Sequence, residues 1–308
     1  MAGAAITGWG TALPGTVLSN DDLASRFGTT TEWIEERTGI VERRVGGTTA
    51  DLATEAGAAA LARAGGDPSG VDLLLLATTT PDLAMPATAS VVQAKLGVSG
   101  GAVDVNAACA GFVYALVAGF GHVALGARRV LVVGAEVMTR LVDPDDRGTA
   151  VLFGDGAGAV VLDAVDGPGG LLASDLGSDG DAASLLYAEH GGTTVMDGGE
   201  IFRRAVRTLV ASSNAVLERA GRAAADVAMF VPHQANARIV EAAATRLGIP
   251  AERTALAMAH TGNTSAASVP IALAAALDEG RLDDGDLVLL SGYGAGMTWA
   301  SALVRWMR

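Results

Sequence analysis

The sequence predicts an α/β fold that is made of two similar halves. Two observations lead to this prediction. Continuous apolar runs alternate with amphipathic helical patterns along the chain, and three motifs of the first half recur in the same order in the second half. Ordered recurrence of this kind indicates duplication of one α/β unit, and we expect helices to cover the sheets on both faces.

The apolar runs VDLLLLATT, RRVLVVGAEV and GDLVLLSGYG are typical of strands that are buried on both faces. The segments TTADLATEAGAAALARAG and EIFRRAVRTLVASSNAVLERAG carry polar faces and predict the helices that cover those strands. The chain has 308 residues, of which half are hydrophobic. That length suffices for one large or two medium-sized packed domains.

The repeat also predicts where the halves meet. Residues 71–97, a strand followed by a proline-containing loop and a helix ending in Leu-Gly, resemble residues 225–248. In the same way 106–119 resembles 262–277, and 153–163 resembles 293–306. The Gly/Pro-rich segment VDGPGG divides the chain into halves 1–165 and 166–308. This alignment makes Cys109 and Asn263 equivalent, and we expect active residues at the interface of the halves.

Composition excludes several classes of protein. The net charge is −13 with a single lysine, which disfavours binding to nucleic acid through its phosphates. No run of about 18 apolar residues predicts a membrane span, and the first residues lack the basic start of a secretory signal. One cysteine cannot form an intrachain disulfide, and the four histidines lie far apart without zinc-ligand spacing. We expect a cytoplasmic protein without a metal.

Two glycine motifs, GDGAG (154–158) and GYGAG (292–296), could indicate a nucleotide-binding loop. A dinucleotide fingerprint needs a strand before it and a helix after it. Strand-like segments follow both motifs here, so we reject that interpretation. The glycines are better explained as positions where backbone approaches a shared pocket.

Three residues are candidates for catalysis. Cys109 lies where a helix begins, a position that lowers a thiol pKa, although free cysteines often only fill a core. His233, in VPHQAN, follows an apolar strand and could be structural, and Asn263, in HTGNTSAAS, could be a helix cap. Taken together, a cysteine, a histidine and an amide donor form a recurring arrangement for acyl transfer.

The motifs DVNAACAGF, DPDDRGTAVLFGDGAGAVVL, VPHQANARI, HTGNTSAASVPIAL, TEWIEERTGI and GYGAGMTWASALVRW resemble β-ketoacyl-acyl-carrier-protein synthase III, of the thiolase superfamily. The resemblance covers nearly the whole chain. It implies a five-layered αβαβα homodimer with a Cys109–His233–Asn263 triad. It also implies acyl transfer from coenzyme A to the cysteine, followed by decarboxylative condensation with malonyl-acyl-carrier protein. No metal or redox cofactor is implied.

The resemblance assigns further roles by motif position. The backbone N–H groups of Cys109 and Ala295 would form the oxyanion hole. Coenzyme A would contact Trp33, Arg37, Arg147, Gly198, Phe202 and Asn236, with adenine between Trp33 and Arg147. The acyl pocket would include Met85, Leu152 and Phe153. The candidate patch for an acidic carrier protein is Arg203, Arg207, Arg238 and Arg246.

Departures from the family leave the primer open. Segment 181–202 is shorter than in many relatives, and Gly199 lies where relatives often have asparagine. Met85 lies where relatives often have a phenylalanine that reaches across the dimer, so a longer or branched primer is conceivable.

The motifs leave other functions to be distinguished. A related acyltransferase or polyketide starter-unit enzyme of secondary metabolism is the main alternative. A hydroxymethylglutaryl-CoA synthase would need a glutamate where Thr79 stands, and a degenerate subunit would have lost a triad member.

Overall fold

The fold is built from thirteen strands and nine α-helices, described by a computed structural model over residues 3–307. The strands are β1 Gly3–Ala12, β2 Thr16–Ser19, β3 Glu42–Val45, β4 Leu73–Ala77, β5 Gly101–Val105, β6 Arg129–Val137, β7 Asp155–Val165, β8 Leu171–Ser178, β9 Leu186–Tyr187, β10 Val195–Met196, β11 Val227–Pro232, β12 Leu287–Gly294 and β13 Thr298–Arg305. The helices are α1 Asn20–Phe27, α2 Thr31–Thr38, α3 Thr49–Ala64, α4 Thr88–Leu96, α5 Gly111–Ala124, α6 Arg147–Ala150, α7 Gly198–Arg219, α8 Ala237–Leu247 and α9 Ser268–Asp278.

Nine of the strands form two mixed sheets. The first has the order β1-β7-β6-β4-β5, and the second has the order β11-β12-β13-β8. Strand β4 runs parallel to β5 and β6, and β11 runs parallel to β12, whereas the remaining pairs within these sheets are antiparallel. All strands of the first sheet end by Val165, and all strands of the second begin at or after Leu171.

The helices form three layers around the two sheets. Helices α5 and α9 lie between the sheets, where Phe112 and Leu116 are fully buried. Helices α3 and α4 cover the outer face of the first sheet, and α7 and α8 cover the outer face of the second. A helix that is apolar on every side, as α5 is, belongs in such a central layer. The predicted α/β layering is therefore confirmed.

The two halves also match in detail. Helices α4 and α8 each end at a glycine in the left-handed conformation, Gly97 with φ 72° and Gly248 with φ 73°. A short 3₁₀ turn precedes each central helix, Ala108–Ala110 before α5 and Ser265–Ala267 before α9.

Matching these turns corrects the alignment drawn from sequence. Asn106 Oδ1 accepts the Ala108 N–H at 3.3 Å, and Asn263 Oδ1 accepts the Ser265 N–H at 2.9 Å. Ala108 and Ser265 share positive φ angles of 46° and 48°. Asn263 is thus equivalent to Asn106, and the predicted equivalence of Asn263 with Cys109 is wrong. Small polar loops allow several alignments, and only the backbone conformation distinguishes them.

The helices and the acidic, cysteine and histidine side chains bear on membrane insertion and metal binding. Within residues 3–307, no helix is both long and apolar enough to cross a bilayer. Over the same range, no group of three or more His, Cys, Asp or Glu side chains is arranged to hold a metal ion.

Candidate active site

Cys109, His233 and Asn263 line one cavity of about 720 Å³ between the two halves. Cys109 follows β5 in the turn before α5, His233 follows β11, and Asn263 lies in the segment before α9. Trp33 and Arg147 line the same cavity, and unlike the buried Cys109, Trp33 is half-buried and Arg147 is exposed. The cavity therefore joins the three candidate residues to a mouth at the surface.

Cys109 is held by close backbone packing against β12. A Cβ on Gly294 would lie 2.6 Å from the Cys109 nitrogen, and one on Gly292 would lie 2.8 Å from the Ala110 Cα, so only glycine allows this approach. The Cys109 thiol donates a hydrogen bond to Ser265 Oγ at 3.4 Å. Burial raises the pKa of this thiol to about 12, so the cysteine is protonated in the resting protein.

His233 is neutral and held on its Nδ1 side. Its backbone N–H donates to Ser291 O at 2.7 Å, and its Nδ1 lies 2.7 Å from Ser268 Oγ. The Gln234 N–H donates to one lone pair of the same Oγ at 3.2 Å, and the Ser268 hydroxyl hydrogen is free to rotate towards Nδ1. Burial lowers the pKa of His233 to about 3. We assign the neutral tautomer that carries its hydrogen on Nε2.

Asn263 is fixed by three backbone contacts. Its N–H donates to Leu152 O at 2.8 Å, and its carbonyl accepts the Gly154 N–H at 3.1 Å. Its Oδ1 accepts the Ser265 N–H at 2.9 Å, which sets the orientation of the side-chain amide. The helix-cap role predicted for this residue is wrong, because Thr264 and Ala267 occupy the N-cap positions and Asn263 instead closes a local turn before them. Its Nδ2 donors are left for a ligand.

Glu136 is a buried carboxylate that the sequence analysis missed. It is the last residue but one of β6, and it accepts hydrogen bonds from Ser265 Oγ at 3.0 Å, Thr80 Oγ1 at 2.6 Å and Thr79 Oγ1 at 3.0 Å. Burial raises the pKa of Glu136, and the hydrogen bonds from Thr80, Thr79 and Ser265 oppose that rise. A glutamate inside the apolar run RVLVVGAEV was the available signal, because carboxylates are rarely buried without a partner.

At the mouth of the cavity, two arginine side chains pack against a tryptophan ring. The guanidinium carbons of Arg37 and Arg147 each lie 4.8 Å from the ring centroid of Trp33. Two stacking distances of about 3.5 Å are needed to place another ring between a ring and a guanidinium. An adenine between Trp33 and Arg147 would therefore require Arg147 to move outward.

Three more of the residues expected to bind coenzyme A, Gly198, Phe202 and Asn236, line the same cavity. Asn236 also caps α8, because its Oδ1 accepts the Arg238 N–H at 2.9 Å. Its Nδ2 donates to Arg37 O at 2.8 Å, which leaves one hydrogen for a ligand. The Arg238 guanidinium lies 5.6 Å from the Phe202 ring centroid.

A second cavity of about 660 Å³ lies on the other side of Cys109 and includes Ala295. Of the residues expected in the acyl pocket, Phe153 lines both cavities, whereas Leu152 lines only the first of these two. Met85 lines neither and is 84% exposed. Side chains of this second cavity that the sequence analysis did not name for the acyl pocket are Thr79, Met138, Leu141 and Leu186.

The four arginines expected to face a carrier protein are exposed on α7 and α8. Arg203 and Arg238 line the first cavity, whereas Arg207 and Arg246 lie outside it. Arg203 is paired with Glu200 at 2.5 Å. The β9–β10 hairpin, within the shortened segment 181–202, contributes Leu186 to both cavities.

The chain is similar to known proteins over nearly its whole length. Residues 103–180 match the family 3-Oxoacyl-[acyl-carrier-protein (ACP)] synthase III, and residues 217–306 match its C-terminal family. The chain is 49% identical to the β-ketoacyl-[acyl-carrier-protein] synthase III of Roseiflexus castenholzii, covering 98% of both chains. It is 46% identical to that of Sinorhizobium medicae, again covering 98% of both.

Solved structures are similar over the same length. The 3-oxoacyl-[acyl-carrier-protein] synthase III of Aquifex aeolicus VF5 has a TM-score of 0.96 at 44% identity, covering 99% of this chain and 100% of its own. The priming β-ketosynthase of the R1128 polyketide pathway has a TM-score of 0.94 at 36% identity, covering 99% and 96%. This likeness confirms the predicted thiolase-type fold.

Proposed function

Because the chain belongs to the 3-oxoacyl-[acyl-carrier-protein] synthase III family, we propose that Cys109, His233 and Asn263 perform its condensation. The enzyme is a transferase that initiates fatty acid synthesis. The observation that carries the residue assignment is that all three side chains line one cavity together with Trp33 and Arg147.

In the first half-reaction, the Cys109 sulfur attacks the thioester carbon of an acyl-CoA. The Cys109 and Ala295 N–H groups would donate to the oxyanion as it develops, since both residues line the second cavity. Collapse of the tetrahedral intermediate breaks the bond to the coenzyme A sulfur and leaves the acyl group on Cys109. The coenzyme A thiol then departs, as in ping-pong catalysis.

In the second half-reaction, the malonyl group of the carrier protein loses carbon dioxide and becomes an enolate. His233 Nε2–H and the Asn263 amide would donate hydrogen bonds to that enolate oxygen. The Ser268 contact supports this role, because it reserves Nδ1 and leaves Nε2 protonated. The enolate carbon attacks the acyl carbon and releases the Cys109 sulfur, so these steps need no metal or redox cofactor.

The arginines at the mouth fit negatively charged substrates. Arg37, Arg147, Arg203 and Arg238 line the first cavity of a chain whose net charge is −13. Such a local concentration of guanidinium groups favours phosphates and carboxylates, which they bind in a bidentate manner. The coenzyme A phosphates and the acidic carrier protein would meet at this mouth. The unpaired thiol of Cys109 suits a reducing compartment, so we assign the enzyme to the cytoplasm.

An exposed sheet edge supports a homodimer. Within residues 3–307, strand β5 ends the first sheet and pairs with β4 alone, and its Val103 is 46% exposed. Leu83 and Met85, in the loop after β4, are 56% and 84% exposed. Edge strands with apolar side chains recruit further strands, and a second copy would cover these side chains. Met85 would then face the partner.

A second candidate is the priming of polyketide synthesis. It is favoured by the 36% identity with the R1128 priming ketosynthase over nearly the whole chain. Both candidates use the same two half-reactions, and they differ in the acyl primer and in the carrier protein that receives it.

The test is intact-protein mass after mixing with a panel of acyl-CoAs, with Cys109→Ala as the control. We expect a mass gain that requires Cys109 and is lost when malonyl-carrier protein is added, with formation of a 3-oxoacyl product. Acylation that no malonyl-carrier protein discharges would refute condensation. Faster discharge by a polyketide carrier than by a fatty-acid carrier would favour the second candidate.

A further inference from the structure

Loading of Cys109 requires a group that takes the thiol proton. His233 is engaged by Ser268 on Nδ1 and stays neutral, and Cys109 makes no hydrogen bond to it in residues 3–307. The hydrogen bond that the thiol does donate goes to Ser265 Oγ, at 3.4 Å. The proton path therefore begins at Ser265.

Ser265 connects the thiol to Glu136. Its Oγ donates to Glu136 Oε1 at 3.0 Å, and all three side chains are buried. The Ser265 backbone is held at φ 48° and its N–H donates to Asn263 Oδ1, which positions this residue between Cys109 and Glu136. Non-glycine residues persist in such conformations chiefly at functional sites.

Resting on the proposed function, we infer that Ser265 and Glu136 form a proton relay that accepts the thiol proton of Cys109 during acyl loading. The Cys109 S–H bond breaks as its hydrogen binds Ser265 Oγ, while the Ser265 hydroxyl hydrogen moves to Glu136 Oε1. The products are a thiolate and a neutral carboxylic acid. When the coenzyme A thiolate leaves, the same chain returns one proton to it, and Glu136 is again a carboxylate.

Electrostatics favours coupling these two groups. Burial is the main cause that raises the pKa of Cys109, and the charge of Glu136 adds to it, because two buried anions so close together repel each other. Moving one proton from Cys109 to Glu136 relocates a single negative charge and never requires two. Four of the donors around Glu136 are hydroxyl groups, from Thr78, Thr79, Thr80 and Ser265, and these can reorient when the carboxylate gains a proton. The Thr79 N–H stays directed at both carboxylate oxygens.

Other charged groups on the elements around Glu136 are engaged elsewhere. Asp155 on β7 accepts from Gly46 and Thr139. Ion pairs join Arg129 on β6 with Asp163 on β7, Arg63 on α3 with Asp278 on α9, and Lys95 on α4 with Asp51 on α3. Arg140 in the turn after β6 pairs with Asp82 after β4. Further titratable side chains near these elements are Glu55 on α3, Asp104 on β5, Tyr114 and His122 on α5, His233 after β11, and Tyr187, Glu189 and His190 in the second cavity. None of them hydrogen-bonds to Glu136 among the described contacts.

The test compares Glu136→Gln and Ser265→Ala with Thr264→Val. Thr264 neighbours Ser265 and is buried, but its hydroxyl has no hydrogen-bond partner among the described residues, so it is a matched control. Two rates are measured between about pH 6 and 9: alkylation of Cys109 by iodoacetamide, and mass gain from an acyl-CoA that loads the wild type. General-base catalysis contributes roughly 10²–10⁴-fold. We expect both relay variants to load about 10²-fold more slowly at pH 7, and Thr264→Val to match the wild type.

The pH profile separates a relay from a purely structural or electrostatic role. Without the relay, the thiol must ionise unaided, and burial remains the main cause that raises its pKa, so the loading rate should rise about tenfold per pH unit over this range. If Glu136 acts only through its charge, Glu136→Gln removes repulsion and alkylation becomes faster, which would overturn the inference. Equal rates and slopes in folded Ser265→Ala and wild type would also overturn it. No loading of the wild type by any acyl-CoA would instead refute the proposed function.

Discussion

Substitution of Gly294 by alanine tests whether catalysis depends on the packing of β12 against the cysteine turn. The added Cβ would lie 2.6 Å from the Cys109 nitrogen and 3.0 Å from the Cys109 Cβ. Ordinary contact begins at 3.4 Å, so the strand and the turn must separate by about 0.8 Å. The backbone of Gly294 is extended at φ −158° and accepts alanine, so the clash alone causes the change.

The displaced atom is the nitrogen proposed to donate to the oxyanion. A misplacement of about 1 Å can cost 10²-fold in rate, and loss of one oxyanion donor costs about 10²–10³-fold. We expect Gly294→Ala to slow acyl loading about 10²-fold, equivalent to about 2.7 kcal/mol of activation free energy, with little change in KM for the acyl-CoA. The overpacking should also lower the free energy of unfolding by about 1–3 kcal/mol.

Loading is followed by intact mass after rapid quenching, and folding by thermal unfolding. The matched control is Gly121→Ala in α5, where the new Cβ meets no atom within 4 Å and alanine favours the helix by about 1 kcal/mol. This control should load at the wild-type rate. A folded Gly294→Ala enzyme whose loading rate stays within about threefold of wild type would refute the assignment of the Cys109 N–H.

Three further predictions concern the histidine and the sheet edge. Ser268→Ala should leave the rate of acyl loading unchanged but reduce release of carbon dioxide from malonyl-carrier protein at least tenfold, because His233 Nδ1 loses its hydrogen-bond partner. Equal losses of rate in both half-reactions would contradict this prediction. The pKa of His233 falls from 6.5 to about 3 on folding, so the unfolded chain binds the proton first as pH drops. Wild type should therefore lose about 2 kcal/mol more unfolding free energy than His233→Asn between pH 7 and 5, measured in urea; parallel losses would argue against a buried neutral imidazole. Val103→Arg should shift the protein to monomers in analytical ultracentrifugation. The control Leu125→Arg, at a leucine that is 86% exposed outside β5, should not change the oligomeric state. A dimeric Val103→Arg protein would exclude the β5 edge as the dimer interface.

Much of the fold follows from local patterns. The apolar runs predicted β4, β6 and β12 because strands buried on both faces need such runs, and the amphipathic segments predicted α3 and α7. GDGAG lies largely inside strand β7 and not in a loop before a helix. This position agrees with the rejection of GDGAG as a nucleotide-binding loop. These elements depend on residues that are close in sequence.

The contacts around the site depend on distant residues and could not be predicted in the same way. Ser265 and Glu136 are 129 positions apart, and His233 and Ser268 are 35 apart. Serines in GNTSAAS are ordinary in a loop, and nothing local says which of them faces the thiol. The contact of Arg147 with Trp33 depends likewise on the packing of α6 against α2, so only the composition of the mouth could be foreseen.

The matched turns at Ala108 and Ser265 have a consequence for how such a site evolves and can be redesigned. The two halves share one backbone conformation at two equivalent turns, and each turn holds its residue at nearly the same positive φ. In the first turn the side chain is the methyl group of Ala108, beside the nucleophile, and in the second it is the hydroxymethyl group of Ser265. In a duplicated fold of this kind, a single substitution in either turn changes the side chain next to the catalytic residues while the backbone around it stays the same.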